Sequence, residues 1–229
     1  MAVTSPIGPR LTVAALLTLT AVTGLIDAVS YLRLGRVFVA NMTGNVVFLG
    51  FSAYPNSGLS AVASLVAIGG FLIGALGGGW SATRLDGRPR RWLGTAFGVE
   101  ALIVAAVGTL GATGVLPLGP HGQYATIALL GAALGLQNST VRRLGVADLT
   151  TTVLTLTLTG LAADSTLAGG PGDKPHRRLA SVAAMLGGAA AGALLLRVSV
   201  IAVIAIAAAL IAAVAITFAT PPARARTAV

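Results

Sequence analysis

Two carboxyl groups stand inside long apolar runs, Asp27 in the run from residue 11 to 32 and Glu100 in the run from 92 to 114. An ionisable group at membrane depth is costly, so its default reading is functional, with a partner expected nearby. Asp27 precedes Arg33 by six residues, about 9 Å along a helix. It reads either as a structural group, paired with Arg33 or Arg36 or making a helix-packing hydrogen bond, or as a solute or proton site. Glu100 falls towards the inner end of its run, where snorkelling or pairing with Arg91 is favoured.

A second polar group lies in the short apolar block 37–53, where Asn41, Thr43, Gly44 and Asn45 are almost contiguous. On a helix Asn41 and Asn45 share a face at i and i+4, and amide and hydroxyl groups there can replace a solute's hydration. The competing reading is that they satisfy the free backbone ends of a short helix, which in lipid must all be bonded. The block 149–163 carries Thr150, Thr151, Thr152, Thr155, Thr157 and Thr159. Thr151, Thr155 and Thr159 form an i, i+4 stripe, whereas Thr155, Thr157 and Thr159 alternate with Leu as in a strand. An open strand edge cannot face lipid, so a helix is expected, with some hydroxyls bonding back to carbonyls one turn earlier. Gln137 and Asn138 complete the candidates, either lining the same cavity or bridging helices. His121 and His176 are the two histidines, and neither has a carboxylate cluster beside it, so no metal site or cofactor is implied.

The elements that position these groups follow from composition. Of 229 residues 55% are hydrophobic and 9% charged, against about 25% charged in a soluble domain, and the mean hydropathy is +0.91. The net charge of +9 comes in short clusters between apolar blocks, the pattern of a topology signal rather than of a nucleic-acid surface. With no Cys, disulfides, thiolate metal sites and cysteine nucleophiles are excluded. The first apolar stretch exceeds a secretory h-region and reads as a retained span.

Six long spans are expected at about 11–32, 61–83, 92–114, 122–141, 179–196 and 199–219, each near the ~20 residues that cross a bilayer as a helix. The last two are divided by Arg197, Val198 and Ser199 alone. Lys and Arg favour the cytoplasmic side of short loops. With both termini inside and both short blocks returning to the side they left, twelve lie inside and three outside (Arg33, Arg36 and Arg197). If both blocks cross, the better split is nine to six, so re-entrant blocks are preferred.

The stretch from Gly24 resembles the stretch from Gly135. Asp27 matches Asn138 at an offset of 111, and Thr43 matches Thr155 at 112. GGFLIGAL from Gly69 reappears as GGAAAGAL from Gly187, an offset of 118. Three long spans per half would orient the halves oppositely, as in secondary transporters whose interrupted segments face the substrate. The series Gly70, Gly74, Gly78 and Gly188, Gly192 reads as helix packing.

DAVSYLRLGRVFVANMTGNVVFLG from Asp27 and GLQNSTVRRLGVADLTTTVLT from Gly135 resemble the YoaK-like family of bacterial integral membrane proteins, a domain of unknown function. The likeness covers roughly residues 10 to 220. It implies a bacterial cytoplasmic membrane protein and no particular substrate.

The expected fold is therefore all-α. It is one transmembrane domain over 1–229, a polytopic bundle of six long spans plus two short re-entrant segments, in an inverted 3+3 repeat with halves at about 10–114 and 121–220. The expected function is that of a small-solute transporter or channel, with Asp27, Asn41, Thr43, Gly44, Asn45, Gln137, Asn138 and Thr155 lining the path. The alternatives are a structural or regulatory membrane protein and, with less support, a membrane-embedded enzyme. The partners are the bilayer and a small molecule, not nucleic acid. The sequence carries no signal for oligomeric state.

Overall fold

The structure, a computed structural model, describes residues 4–116, 118, 123–145, 154–170 and 175–221. His121, Lys174, Thr150, Thr151, Thr152, Arg224 and Arg226 lie outside the described residues. Among those described, the chain forms eight α-helices and no strand: α1 (Pro9–Val29), α2 (Met42–Phe51), α3 (Ala61–Arg84), α4 (Pro89–Ala112), α5 (Gln123–Leu144), α6 (Leu154–Ala163), α7 (Pro175–Leu195) and α8 (Val200–Ala219). A π-helical turn, Ser30–Gly35, extends α1.

Five helices are long and apolar enough to cross a membrane: Pro9–Gly35, α3, α4, α7 and α8. The fourth expected span, α5, is 22 residues long but carries Gln137, Asn138, Arg142 and Arg143 and is not among the five. Large apolar side chains on outer faces, such as Ile73, Leu76 and Trp80 of α3, stand in the open, where lipid is their natural neighbour. The narrow division after α7 is real. Ser199 is the N-cap of α8 and accepts a hydrogen bond from the Ala202 amide at 3.3 Å, satisfying one of the orphan donors of a helix start.

Close helix pairs, α1 on α7 and α3 on α5, are built on small residues. On α3, Ala63, Ala67, Gly70, Gly74 and Gly78 are buried at spacings of three and four, which puts one bare backbone stripe against α5. In lipid this packing replaces the hydrophobic drive between helices.

These approaches recur in matching sets. A Cβ on Gly24 would meet Met185 O and Ala189 N of α7, and one on Gly135 would meet Phe71 O and Ala75 N of α3. Gly188 abuts Ala21 as Gly74 abuts Ala132, and Gly192 abuts Leu25 and Ala28 as Gly78 abuts Leu136 and Ser139. Between the two sets of contacts, positions on α1 and α5 differ by 111 and those on α3 and α7 by 114. The GGxxxGAL frame, at 118, is slipped by one helical turn. Whole-helix packing follows the same exchange: α3 on α5 mirrors α7 on α1, α4 on α5 mirrors α8 on α1, and α2 on α3 mirrors α6 on α7. Helices α4 and α8 pack on each other, with Phe97 and Phe218 5.6 Å apart between ring centres.

Candidate functional site

The site begins where α1 loses its regular winding. After the π-helical turn, Gly35 and Arg36 adopt φ of +153° and +56°, and the chain runs without helix to Asn41, the N-cap of α2. Leaving the helix frees backbone amides, and in a membrane each needs a partner. Asp27 supplies it for two of them. Its Oδ1 accepts from the Val39 amide at 3.0 Å and the Ala40 amide at 3.1 Å. Arg33 is instead turned to Leu196 O at 3.1 Å, so pairing with Arg33 or Arg36, one of the readings of Asp27, does not occur.

Asn45 is fully buried and holds the same segment from the other side. Its Oδ1 accepts from the Phe38 amide at 2.9 Å, and its Nδ2 donates to Phe38 O at 2.5 Å. Gly44 lies so close to the Phe38 ring that a Cβ there would come within 2.8 Å of it. Tyr31, Phe38 and Phe48 stack behind this corner, with ring centres 5.2 to 6.0 Å apart. Asn45→Ala leaves both Phe38 groups without partners and is expected to cost about 2 kcal/mol. Thermal unfolding in detergent measures this, and an unchanged midpoint would show the clamp to be dispensable.

Beside this corner opens a cleft of about 340 Å³, lined by Asp27, Asn41, Thr43, Gly44, Val47, Phe48, Leu154, Thr155 and Met185. Asp27 comes from α1, the residues from 41 to 48 from α2 and its cap, Leu154 and Thr155 from α6, and Met185 from α7. Five predicted site residues therefore meet: Asp27, Asn41, Thr43, Gly44 and Thr155. Three do not line it. Asn45 is the clamp just described, its side chain taken up by the Phe38 amide and carbonyl, whereas Asn41 is the N-cap of α2. Gln137 is fully buried and donates to Thr23 Oγ1 at 3.0 Å, a bridge between α5 and α1. Asn138 donates to Leu134 O at 2.9 Å, within its own helix. Val47, Phe48, Leu154 and Met185 are apolar lining that residue polarity does not mark; the first three lie beside or within the two short blocks, and nothing in the sequence signals Met185.

In α6 the expected helix forms over Leu154–Ala163, and Thr159 bonds back to Thr155 O at 2.9 Å. Glu100 departs from expectation. It is the twelfth of 24 residues in α4, fully buried, with no hydrogen bond to either carboxyl oxygen among the described residues. It neither snorkels nor pairs with Arg91, because the centre of a helix packed on α5 and α8 offers no route to water.

Residues 15–217 match the family described as "Protein of unknown function (DUF1275)". The chain belongs to this family. It is also 34% identical over 161 residues to "UPF0700 transmembrane protein YoaK" of Bacillus subtilis (strain 168), covering 68% of this chain and 67% of that protein. No solved structure matches. Family membership, a transmembrane relative and five bilayer-length apolar helices make this DUF1275 member a multi-pass membrane protein in contact with lipid.

Proposed function

We propose that the chain is a small-solute transporter or channel of a bacterial cytoplasmic membrane. It is built as an inverted repeat of residues 10–114 and 121–220, with both termini cytoplasmic. On this reading α5 is a sixth span. Its 22 residues reach about 33 Å, enough for the ~30 Å hydrocarbon core. Helices α2 and α6, ten residues each, reach about 15 Å and enter without crossing. The reciprocal glycine contacts support the repeat, and the twelve-to-three distribution of Lys and Arg supports the orientation.

One observation carries the functional reading: the polar cleft lies between the halves, with α1 and α2 of the first facing α6 and α7 of the second. Transporters built from inverted repeats hold solute at the repeat interface, beside interrupted helices. A purely structural role accounts for Asn45 and Gln137, whose hydrogen bonds join segments. It leaves the cleft and the second oxygen of Asp27 without a purpose. An enzymatic role lacks an acid–base pair, since Asp27 is the one titratable side chain among the described lining residues.

The natural absence of Cys allows a direct test. The single variants Thr43→Cys and Thr155→Cys are expected to react with a water-soluble thiol reagent in open membranes, whereas the lipid-facing Leu76→Cys is not. Inert thiols at both 43 and 155 would mean a dry interior and favour the structural reading.

A further inference from the structure

We infer that the cleft selects a small monovalent organic cation of the ammonium class, an inference that rests on the transport reading. Among the described lining residues its formal charge comes from one group, and that group is half used. Oδ1 of Asp27 takes both backbone amides, while Oδ2 accepts no hydrogen bond among the described residues. Asp27 is 5% exposed and lines the cleft.

No Lys or Arg appears among the nine described lining residues, although the chain carries fifteen. The nearest basic residues in sequence are engaged or placed elsewhere. Arg33 is held by Leu196 O, and the Arg36 guanidinium lies beside Gly58. The eight residues before Leu154 in sequence, VADLTTTV, contain no Lys or Arg either. An anion entering the cleft would meet a carboxylate at low dielectric with no countercharge, which repels it strongly. A cation would gain the same interaction.

The rest of the lining distinguishes an organic cation from a metal ion. A bare Ca²⁺ wants about six to eight oxygens at ~2.3–2.6 Å, whereas Val47, Phe48, Leu154 and Met185 present carbon and sulfur. About 340 Å³ is far more space than one ion fills. An alkylated ammonium suits both halves of the lining. Its charge meets Asp27, its N–H groups or water shell meet Asn41, Thr43 and Thr155, and its methyl groups lie on Phe48 and Met185. A cation over an aromatic face is a common mode for such groups.

The test uses the full chain in lipid nanodiscs, with choline and methylammonium as cationic probes and glycerol and acetate as the neutral and anionic ones. Binding is read as a rise in unfolding temperature with probe concentration and as uptake into proteoliposomes. At saturation a cationic probe is expected to raise the midpoint by about 3 °C or more, while glycerol and acetate do nothing. Asp27→Asn keeps an oxygen for the two amides but removes the charge, so it should fold normally and weaken the cationic probe by about 10- to 100-fold. Asp27→Glu should recover part of that loss. Absence of any effect of either cationic probe at 100 mM would overturn the inference. Uptake of glycerol or acetate that survives Asp27→Asn would also overturn it, while leaving the transport reading in place.

Discussion

Asp27→Leu should cost about 4 kcal/mol of stability, while Asp27→Asn should cost less than about 1. Leucine removes the acceptor for two amides, Val39 and Ala40, at the point where α1 has already given up its helical bonding. A buried donor without a partner costs roughly 1–3 kcal/mol each, and in a membrane water is scarce as a substitute. Asparagine keeps Oδ1 and loses only the charge on the side that faces the cleft. Chemical or thermal unfolding in detergent separates the two variants. Equal destabilisation would mean that the charge, and not the amide pair, holds the segment. Equal stability would mean that the bonds to Val39 and Ala40 contribute nothing. The contrast matters for function, because it leaves Asp27→Asn as a folded protein in which only the cleft has changed.

The second large effect is expected at the crossing glycines. Gly24→Val and Gly135→Val should each cost at least about 4 kcal/mol, and by similar amounts. A Cβ on Gly24 would stand 2.5 Å from Met185 O. The Gly135 contact is with Phe71 O and Ala75 N, the corresponding atoms of the other pair. Backbone cannot rotate away as a side chain can, so the helices must separate and lose the packing that joins them. Gly77→Val, on α3 with open space around it, should be tolerated within about 0.5 kcal/mol. Folded yield by size-exclusion chromatography and unfolding midpoints report all three. If Gly24→Val were tolerated and Gly135→Val were not, the two helix pairs would not be equivalent.

Much of this architecture is legible in the sequence, and the exceptions have physical reasons. Span boundaries are readable because apolar runs in lipid must end near charge or turn residues. The sequence places them at 61–83 and 199–219, and the helices are Ala61–Arg84 and Val200–Ala219. The motif match at 111 rests on Asp27 and Asn138, rare polar residues in apolar surroundings, and the glycine contacts of α1 and α5 show the same spacing. The 118 match rests instead on common residues and differs by four from the spacing of the glycine contacts. Gly and Ala recur every four residues along α3 and α7, so a slip of one turn matches nearly as well as the true register, and only the atoms at Gly74 and Gly188 decide it.

The candidate site divides along the same line. Residue type picks out Asp27, Asn41, Thr43, Gly44 and Thr155, and all five lie on one cleft. It cannot say that Asn45 is taken out of the lining, because that depends on the Phe38 amide and carbonyl that its side chain binds. Nor can it find the partners of Asp27, which are backbone amides released by an irregular turn and not the arginines nearby in sequence. Glu100 looks peripheral in a run counted from its charged end, and central once α4 is seen to begin at Pro89.

The opposite orientation of the two halves is the claim on which the transport reading most depends, and it has a direct measurement. Single Cys residues replace Asn56, Val115 and Leu167, all exposed in loops after α2, α4 and α6, and intact cells are labelled with an impermeant thiol reagent. Labelling at 56 and 115 but not at 167, with 167 reacting once the membrane is opened, is the predicted result. Labelling at 167 in intact cells together with 56 would put both short helices on the same side and contradict the inverted repeat.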